Sequence, residues 1–298
     1  MPRARSGLVV GVDDHSSLIA PDVDLDEVGA GSDPSRKTGV RVYQHTKRMP
    51  TVVITGATGA IGSATVAGLE KRRAQVIKLS RPACDLSSLA SVRAAARELN
   101  RAGGHIDALL HVAAVFVPRF QKSAEGWELM LTVNHLGPFL LTNLLRDRLA
   151  GGGRVITVTA PSTTKVDLAR MLDRDRFSAY YSFGATKAAN LMFTFELARR
   201  AKRWDVKANA FHPGIVSSQL TREMPLVARV ATRWLGRDPW APAEDLVDLA
   251  LSSSHAGTTG WFFKGRRRID APKSTLDVPL QGKVWTRSAE LVELEGGF

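Results

Sequence analysis

An apolar run that breaks into a glycine-spaced turn constrains this chain most: Thr51-Val-Val-Ile-Thr-Gly-Ala-Thr-Gly-Ala-Ile-Gly-Ser-Ala-Thr-Val66. Val52, Val53 and Ile54 suit a strand buried on both faces, and Val66 and Leu69 begin an amphipathic helical pattern. Between them, Gly56, Gly59 and Gly62 free the backbone, with Thr58 and Ile61 in the same turn. A phosphate reaches the unpaired N–H groups and positive dipole end of a helix only where no side chain intervenes. The triplet alone fits either such a cradle or an ordinary tight strand-to-helix turn.

From residue 51 onward, strands and helices alternate: strands at 51–56, 75–80, 107–112, 153–159 and 206–211, helices at 59–72, 88–100, 125–150 and 178–202. This alternation predicts an α/β fold, a single Rossmann-type doubly wound parallel sheet with helices on both faces, over residues 49–298. The strand ends at Gly56, Ser80, His111, Thr159 and His212 then share one edge, where such sheets bind ligands. The long helices 125–150 and 178–202 carry apolar faces that suit a homodimer contact.

Residues 1–48 lack this periodicity: an acidic patch over 22–27 is followed by a Gly/Ser/Asp/Pro stretch and a basic stretch from Arg36 to Arg48. They read as a disordered extension. Met49-Pro50 stands directly before the first strand, which raises the hypothesis that translation begins there; the intact mass of the native protein decides it. No apolar run is long enough to span a bilayer, and Leu8-Val9-Val10 is too short for a signal-peptide core. Cys84 is the only cysteine, which excludes an internal disulfide and fits a reducing cytoplasm.

The net charge of +12 admits anionic ligands or simply a surface rich in arginine. The densest run, Lys264-Gly-Arg-Arg-Arg268, reads as a solvated turn after a short strand. No zinc-ligand spacing or RNA-reading aromatic motif accompanies it, so neither a metal site nor a specific nucleic-acid partner is expected.

Cofactor choice is written about twenty residues beyond a nucleotide-binding glycine turn, where an acid would bind a ribose 2′-hydroxyl and an arginine a 2′-phosphate. Ser80-Arg81 occupies that place, and a guanidinium pairs bidentately with phosphate, so NADP(H) is preferred over NAD(H).

Four further motifs follow in order: Asp85-Leu-Ser-Ser-Leu-Ala-Ser-Val92, Val133-Asn-His-Leu-Gly-Pro-Phe139, Lys187-Ala-Ala-Asn190 and His212-Pro-Gly-Ile-Val216. Together with the glycine turn and the tail Leu280-Gln-Gly-Lys-Val-Trp-Thr-Arg-Ser-Ala-Glu-Leu291, they resemble the short-chain dehydrogenase/reductase superfamily, in particular its retinol-dehydrogenase-like branch. The resemblance runs from about residue 51 to 295. It implies cofactor contacts from Asp85, Leu86, His111, Ala113, Val133, Pro213, Gly214 and Val216, and an active site of Asn, Ser, Tyr and Lys.

Two of those four are replaced. Asn134 and Lys187 match, but four residues before Lys187 stands Phe183 at the tyrosine position, and the strand over 154–161 offers Ala160 at the serine position. Phenylalanine has no ionisable proton and alanine no hydroxyl, so ordinary carbonyl reduction should be crippled; general acid–base catalysis contributes about 10²–10⁴-fold. Lys187 keeps the ribose-binding role the resemblance gives it.

Candidates to supply the lost groups are Tyr180, three residues before Phe183 on the same helical face, and the hydroxyls of Thr159, Ser162 and Thr163. Tyr181 should point elsewhere. A strand-end histidine titrates near neutrality, but His111 by position lies on the adenosine side, as a structural or cofactor-contacting residue.

The substrate lid is expected at 217–240, where Val227, Val230, Ala231, Trp234 and Leu235 fall on one helical face. With Phe116 and Phe120 they suggest an apolar pocket rimmed by Arg119, Arg222 and Arg229, hence an apolar small-molecule substrate. Three readings stay open: an NADP(H)-dependent oxidoreductase with an atypical acid, a cofactor-retaining cyclase, isomerase or dehydratase, and a silent cofactor-binding protein.

Overall fold

The computed structural model describes residues 48–214 and 238–298. The readings made for residues 1–47, for Val216 and for the lid over 217–237 lie outside these residues. Trp240, at the end of the expected lid, opens a helix instead.

The central sheet has seven strands in the order β2-β1-β3-β4-β5-β6-β7. β1 (Thr51–Thr55), β2 (Gln75–Leu79), β3 (Ala108–His111), β4 (Arg154–Val158), β5 (Lys207–His212) and β6 (Phe262–Lys264) run parallel, and β7 (Arg267–Ile269) returns antiparallel. β2 is therefore a sheet edge. Its outward Lys78 pairs with Glu70 at 3.0 Å, and charge on an edge strand discourages pairing with another chain.

Side-chain alternation along the strands divides the core into two layers. Val52 and Ile54 of β1 pack with Leu110, Ile156 and Phe211 beneath α1 (Ala60–Lys71) and α8 (Trp240–Leu251). Val53, one residue out of phase, points to the other face with Leu109, Val155 and Ala208. That face is covered by α2 (Leu89–Ala102), α4 (Gly137–Leu144) and α7 (Ala179–Arg200). Strands buried on both faces by helices are what an uninterrupted apolar run such as Val52-Val53-Ile54 demands.

The helix expected over 125–150 is broken into pieces. α3 (Leu129–Leu131) passes into a π-helical turn, Thr132–Leu136, before α4, and α5 (Arg146–Leu149) follows separately. Residues 125–128 are not helical because their side chains have other work. Glu125 accepts the Leu89 N–H at 2.5 Å to cap α2, and the fully buried Glu128 caps α3 through the Met130 and Leu131 N–H groups at 3.0 and 2.7 Å. Burial raises the Glu128 carboxyl pKa even against those two hydrogen bonds.

The basic run is also corrected. Lys264 ends β6, Gly265 and Arg266 turn the chain, and Arg267 and Arg268 belong to β7, so the run is a hairpin rather than a turn alone.

The short helix α6 (Leu168–Leu172) precedes α7, and α9 (Val278–Leu291) closes the fold. Trp285 of α9 lies 4.9 Å from the Phe139 ring and 5.8 Å from that of Phe193, while Ser288 bonds the His135 ring at 2.8 Å. Part of the apolar faces of α4 and α7 is thus covered by the chain's own C-terminal helix.

Candidate functional site

The glycine turn is a steric requirement of the local fold. At Gly62 an added Cβ would stand 2.0 Å from the Gly56 carbonyl oxygen, and at Gly56, with φ of +72°, it would stand 2.6 Å from the Ala113 nitrogen. Gly59 is the N-cap of α1 and carries no capping side chain, and a Cβ there would meet nothing closer than 3.5 Å. The first-turn N–H groups of α1 are therefore open to a ligand, with Thr58 exposed beside them and Ile61 turned toward the core. We expect Gly62→Ala to lower stability by about 1–3 kcal/mol through overpacking against backbone, read as a fall in the urea midpoint together with lost nucleotide binding.

Beside this turn lies the reversal of winding, since β1 is flanked by β2 on one side and β3 on the other. At the end of β2, Ser80 is half-buried, accepting the Cys84 N–H at 3.0 Å, and Arg81 is exposed. Burial raises the Asp85 carboxyl pKa, but two hydrogen bonds from Ser87 and the Arg81 charge outweigh it and leave the group below its usual range. Leu86 and Val133 are core residues, 8% exposed each, so any cofactor contact from them is through the backbone or one edge of the side chain. Ala113 borders Gly56 as described, and Pro213 and Gly214, the latter at φ of +79°, are half-buried at the end of β5.

His111 is buried at the end of β3. Its Nε2 meets Thr142 Oγ1 at 2.7 Å, and Thr142 already donates to the Pro138 carbonyl, so His111 donates from Nε2 and keeps a lone pair on Nδ1. That Nδ1 is buried with no partner, and burial pushes the ring pKa down to about 3. A second buried histidine, His135, is held at Nδ1 by Asn190 Oδ1 (3.0 Å) and at Nε2 by Ser288. Its pKa falls to about 4, burial outweighing the Asn190 bond.

Asn134 sits in the π-helical turn, and its amide grips the chain after β3. Its Oδ1 accepts the Val115 N–H at 2.7 Å, and its Nδ2 donates to the Val115 carbonyl at 2.9 Å. The π turn and this clamp go together, because the extra residue rotates Asn134 off the helical register. Asn190 in turn donates to the Asn134 carbonyl at 2.9 Å, fixing α7 against it.

Lys187 lies one turn beyond Phe183 on α7, with its Nζ 5.0 Å from the Phe183 ring centroid. It is 7% exposed, and burial lowers its pKa to about 8. Among the described residues no carboxylate pairs with it, so its charge is held only by that ring face and whatever enters the cleft. An uncompensated buried cation is costly, and a ligand oxygen would relieve the cost.

The hydroxyls proposed as substitutes are mostly committed elsewhere. Thr159 is buried and donates to the Lys187 carbonyl at 2.8 Å, and Ser162 donates to the Gly184 carbonyl at 2.8 Å. Ala160 and Thr163 flank them, with Thr163 exposed. Tyr180 does share the Phe183 face: Phe116 lies between the two rings, 5.6 Å from each. Tyr180 is nonetheless 62% exposed, at the mouth rather than beside Lys187. Tyr181 points away and donates to the Lys165 carbonyl at 3.0 Å. Phe120 separately packs edge-on against Phe177 at 5.6 Å.

Val115 and Thr186, the latter accepting from Asn134 Nδ2 at 3.4 Å, were not marked by sequence reasoning, and Asn190 and Ser288 were quoted only within motifs, since nothing in their spacing shows which distant group each would hold. Among the described residues no cluster of His, Cys, Asp or Glu has metal-binding geometry.

A glycine turn at the switch point, an asparagine in a π turn and a buried lysine on α7 sit together on a doubly wound sheet of the dehydrogenase type. The short chain dehydrogenase profile matches residues 80–226. Retinol dehydrogenase 14 of Mus musculus is 30% identical over 285 residues, covering 81% of this chain and 85% of the relative. A Streptomyces sp. (strain C5) protein provisionally described as a daunorubicin C-13 ketoreductase is 32% identical over 272 residues, covering 81% and 92%. The 3-alpha-hydroxysteroid dehydrogenase of Pseudomonas sp. B-0831, solved with NADH, shares the fold at a TM-score of 0.61 and 22% identity, covering 72% of this chain and 95% of that one. The chain belongs to the short-chain dehydrogenase/reductase superfamily, in its retinol-dehydrogenase-like branch.

Proposed function

We propose that the chain is an NADP(H)-dependent oxidoreductase with an atypical active site, acting on an apolar small molecule: an iminium, an activated alkene or a carbonyl. The observation that carries the reading is the combination of an unobstructed α1 N-terminus with a buried, unpaired Lys187 facing Phe183. Gly56, Gly59 and Gly62 would admit the pyrophosphate, Arg81 the 2′-phosphate, Pro213 and Gly214 the nicotinamide, and Lys187 its ribose. When bound, the cofactor supplies or accepts a hydride.

The chain's own residues set what accompanies it. Asn134 holds the loop bearing Phe116, whose ring, packed on Phe183 and Tyr180, would help to keep water from the reacting carbon. With Phe183 and Ala160 at the tyrosine and serine positions, and the Thr159 hydroxyl committed to the Lys187 carbonyl, neither of those two positions supplies an acid, which favours substrates that need little protonation on oxygen. The same loss of hydroxyls supports a second reading, in which the cofactor is a wall of the pocket and catalysis is by positioning. Stoichiometric NADPH consumption with an iminium or enone substrate supports the first; conversion of substrate with NADPH unchanged supports the second and overturns the first.

A cytoplasmic setting belongs to the same proposal, supported by a single buried cysteine. Among the described residues no helix is long and apolar enough to cross a membrane.

A further inference from the structure

Among the described residues Lys187 is the only buried lysine. Lys207, half-buried, pairs with Asp205, and the others are exposed. Lys187 has no such countercharge, since no ion pair among the described residues holds it. What its Nζ meets is the Phe183 ring, which attracts a cation but offers no oxygen or nitrogen acceptor. The neighbouring hydroxyls are turned elsewhere: Thr159 donates to the backbone carbonyl of Lys187 itself, and Ser162 to that of Gly184. The side chain is not sealed, because 7% of its surface stays exposed.

An ammonium in these surroundings is easily deprotonated. Burial alone lowers its pKa to about 8, so at pH 7.5 about a quarter of the population carries a free lone pair, against about one in a thousand for an exposed lysine. A desolvated lysine amine in an apolar setting is a nucleophile toward carbonyl carbon. The side chains linked to it are aromatic: Phe116 packs edge-on against Phe183 and also against Tyr180, which is exposed. Such surroundings suit an uncharged, apolar carbonyl compound, and an aldehyde leaves its carbon least crowded.

We propose that Lys187 of the cofactor-free chain captures apolar aldehydes as a covalent imine. The Nζ lone pair bonds to the carbonyl carbon while the C–O π pair moves to oxygen. Both amine protons then leave with that oxygen as one water, and a C=N bond remains. Nothing is oxidised or reduced, and addition of water reverses the step. Capture does not depend on the nucleotide reading above, although that reading places a ribose at the same amine, so nucleotide and aldehyde should exclude each other.

The test treats the full chain, without nucleotide, with hexanal and cyanoborohydride at pH 7.5, and maps the resulting secondary amines by mass spectrometry. The expected result is labelling of Lys187 at least about tenfold faster than the mean of the exposed lysines. Glyceraldehyde should label it more slowly than hexanal. In Phe183→Tyr the Lys187 rate should fall at least about tenfold, because a phenol oxygen gives the ammonium an acceptor and holds its proton. A role for Lys187 in packing alone would predict no such effect. The proposal is overturned by a Lys187 rate no higher than that of exposed lysines, by labelling that appears only in urea, by equal rates with glyceraldehyde, or by an unchanged rate in folded Phe183→Tyr. Should that variant not fold, the rate ratio and the aldehyde preference in the parent chain decide. Saturating NADPH is expected to block the label. Labelling that persists beside NADPH counts against the nucleotide reading while capture stands, so the two proposals fail distinguishably.

Discussion

Phe183→Tyr is expected to raise NADPH-dependent reduction of apolar ketones and aldehydes by about 10²–10⁴-fold, the range general acid catalysis contributes. The backbone needs no change, since Phe183 and Lys187 already share a helical face with the ammonium 5.0 Å from the ring centroid. A phenol added there would lie near a cation that lowers its pKa and stabilises its ionised form. Phe116, edge-on to the Phe183 ring at 5.6 Å, holds the ring plane. The measurement is the rate of NADPH oxidation for both proteins across one panel of carbonyl compounds. A folded variant that binds NADPH and gains nothing would show that Lys187 and the nicotinamide are not aligned for hydride delivery, and would favour the non-redox reading. Adding Ala160→Ser should increase the gain, although the two effects need not add.

The second large effect is on stability in acid. His111 and His135 are folded with pKa values near 3 and 4 because burial disfavours their charged forms, whereas an unfolded histidine titrates near 6.5. Below about pH 6.5 the unfolded chain therefore binds more protons than the folded one, and stability falls with pH. Their contribution is fully present above pH 6.5 and is lost progressively as pH drops toward the folded values. With two protons involved, the slope near pH 5 is about 2.7 kcal/mol per pH unit. Glu128 acts in the opposite sense, since its raised pKa lets the folded state take up a proton first and so offsets part of the loss. Urea midpoints from pH 7.5 to 4.5 check this. His135→Gln should cost stability at neutral pH through its lost partners, Asn190 and Ser288, yet reduce the acid slope by about one proton. A flat profile between pH 7 and 5 in the parent protein would contradict the assignment of both rings as buried and neutral.

What the sequence made legible follows from which forces are local. β1 could be read because Val52, Val53 and Ile54 have no polar face to offer solvent. The glycines could be read because a close approach of Gly62 to the Gly56 carbonyl leaves room for no other residue. The ends of α1, α2 and α7 fell within two residues of expectation for the same reason, local periodicity and capping.

The rest depended on partners distant in the chain. The break in the 125–150 helix is set by Glu125 reaching α2 and Asn134 reaching Val115, neither of which alters the apolar spacing. His135 is 153 residues from Ser288, so its role could not be inferred before α9 was seen to cover α4 and α7. The same packing covers part of the apolar faces of α4 and α7. Thr159 was a plausible hydroxyl by position, yet its side chain turns inward to the Lys187 carbonyl, a direction that strand alternation alone did not fix.

The reading of the whole site rests on a nicotinamide dinucleotide at the β1–α1 turn with its 2′-phosphate on Arg81. Calorimetric titration with NADPH and with NADH at one salt concentration, repeated on Arg81→Ala, tests that most directly. The account predicts NADPH binding at least about tenfold tighter than NADH, a difference of about 1.4 kcal/mol that Arg81→Ala removes. Binding of neither nucleotide to the folded protein would contradict it and leave the glycine cradle as a packing solution without a ligand.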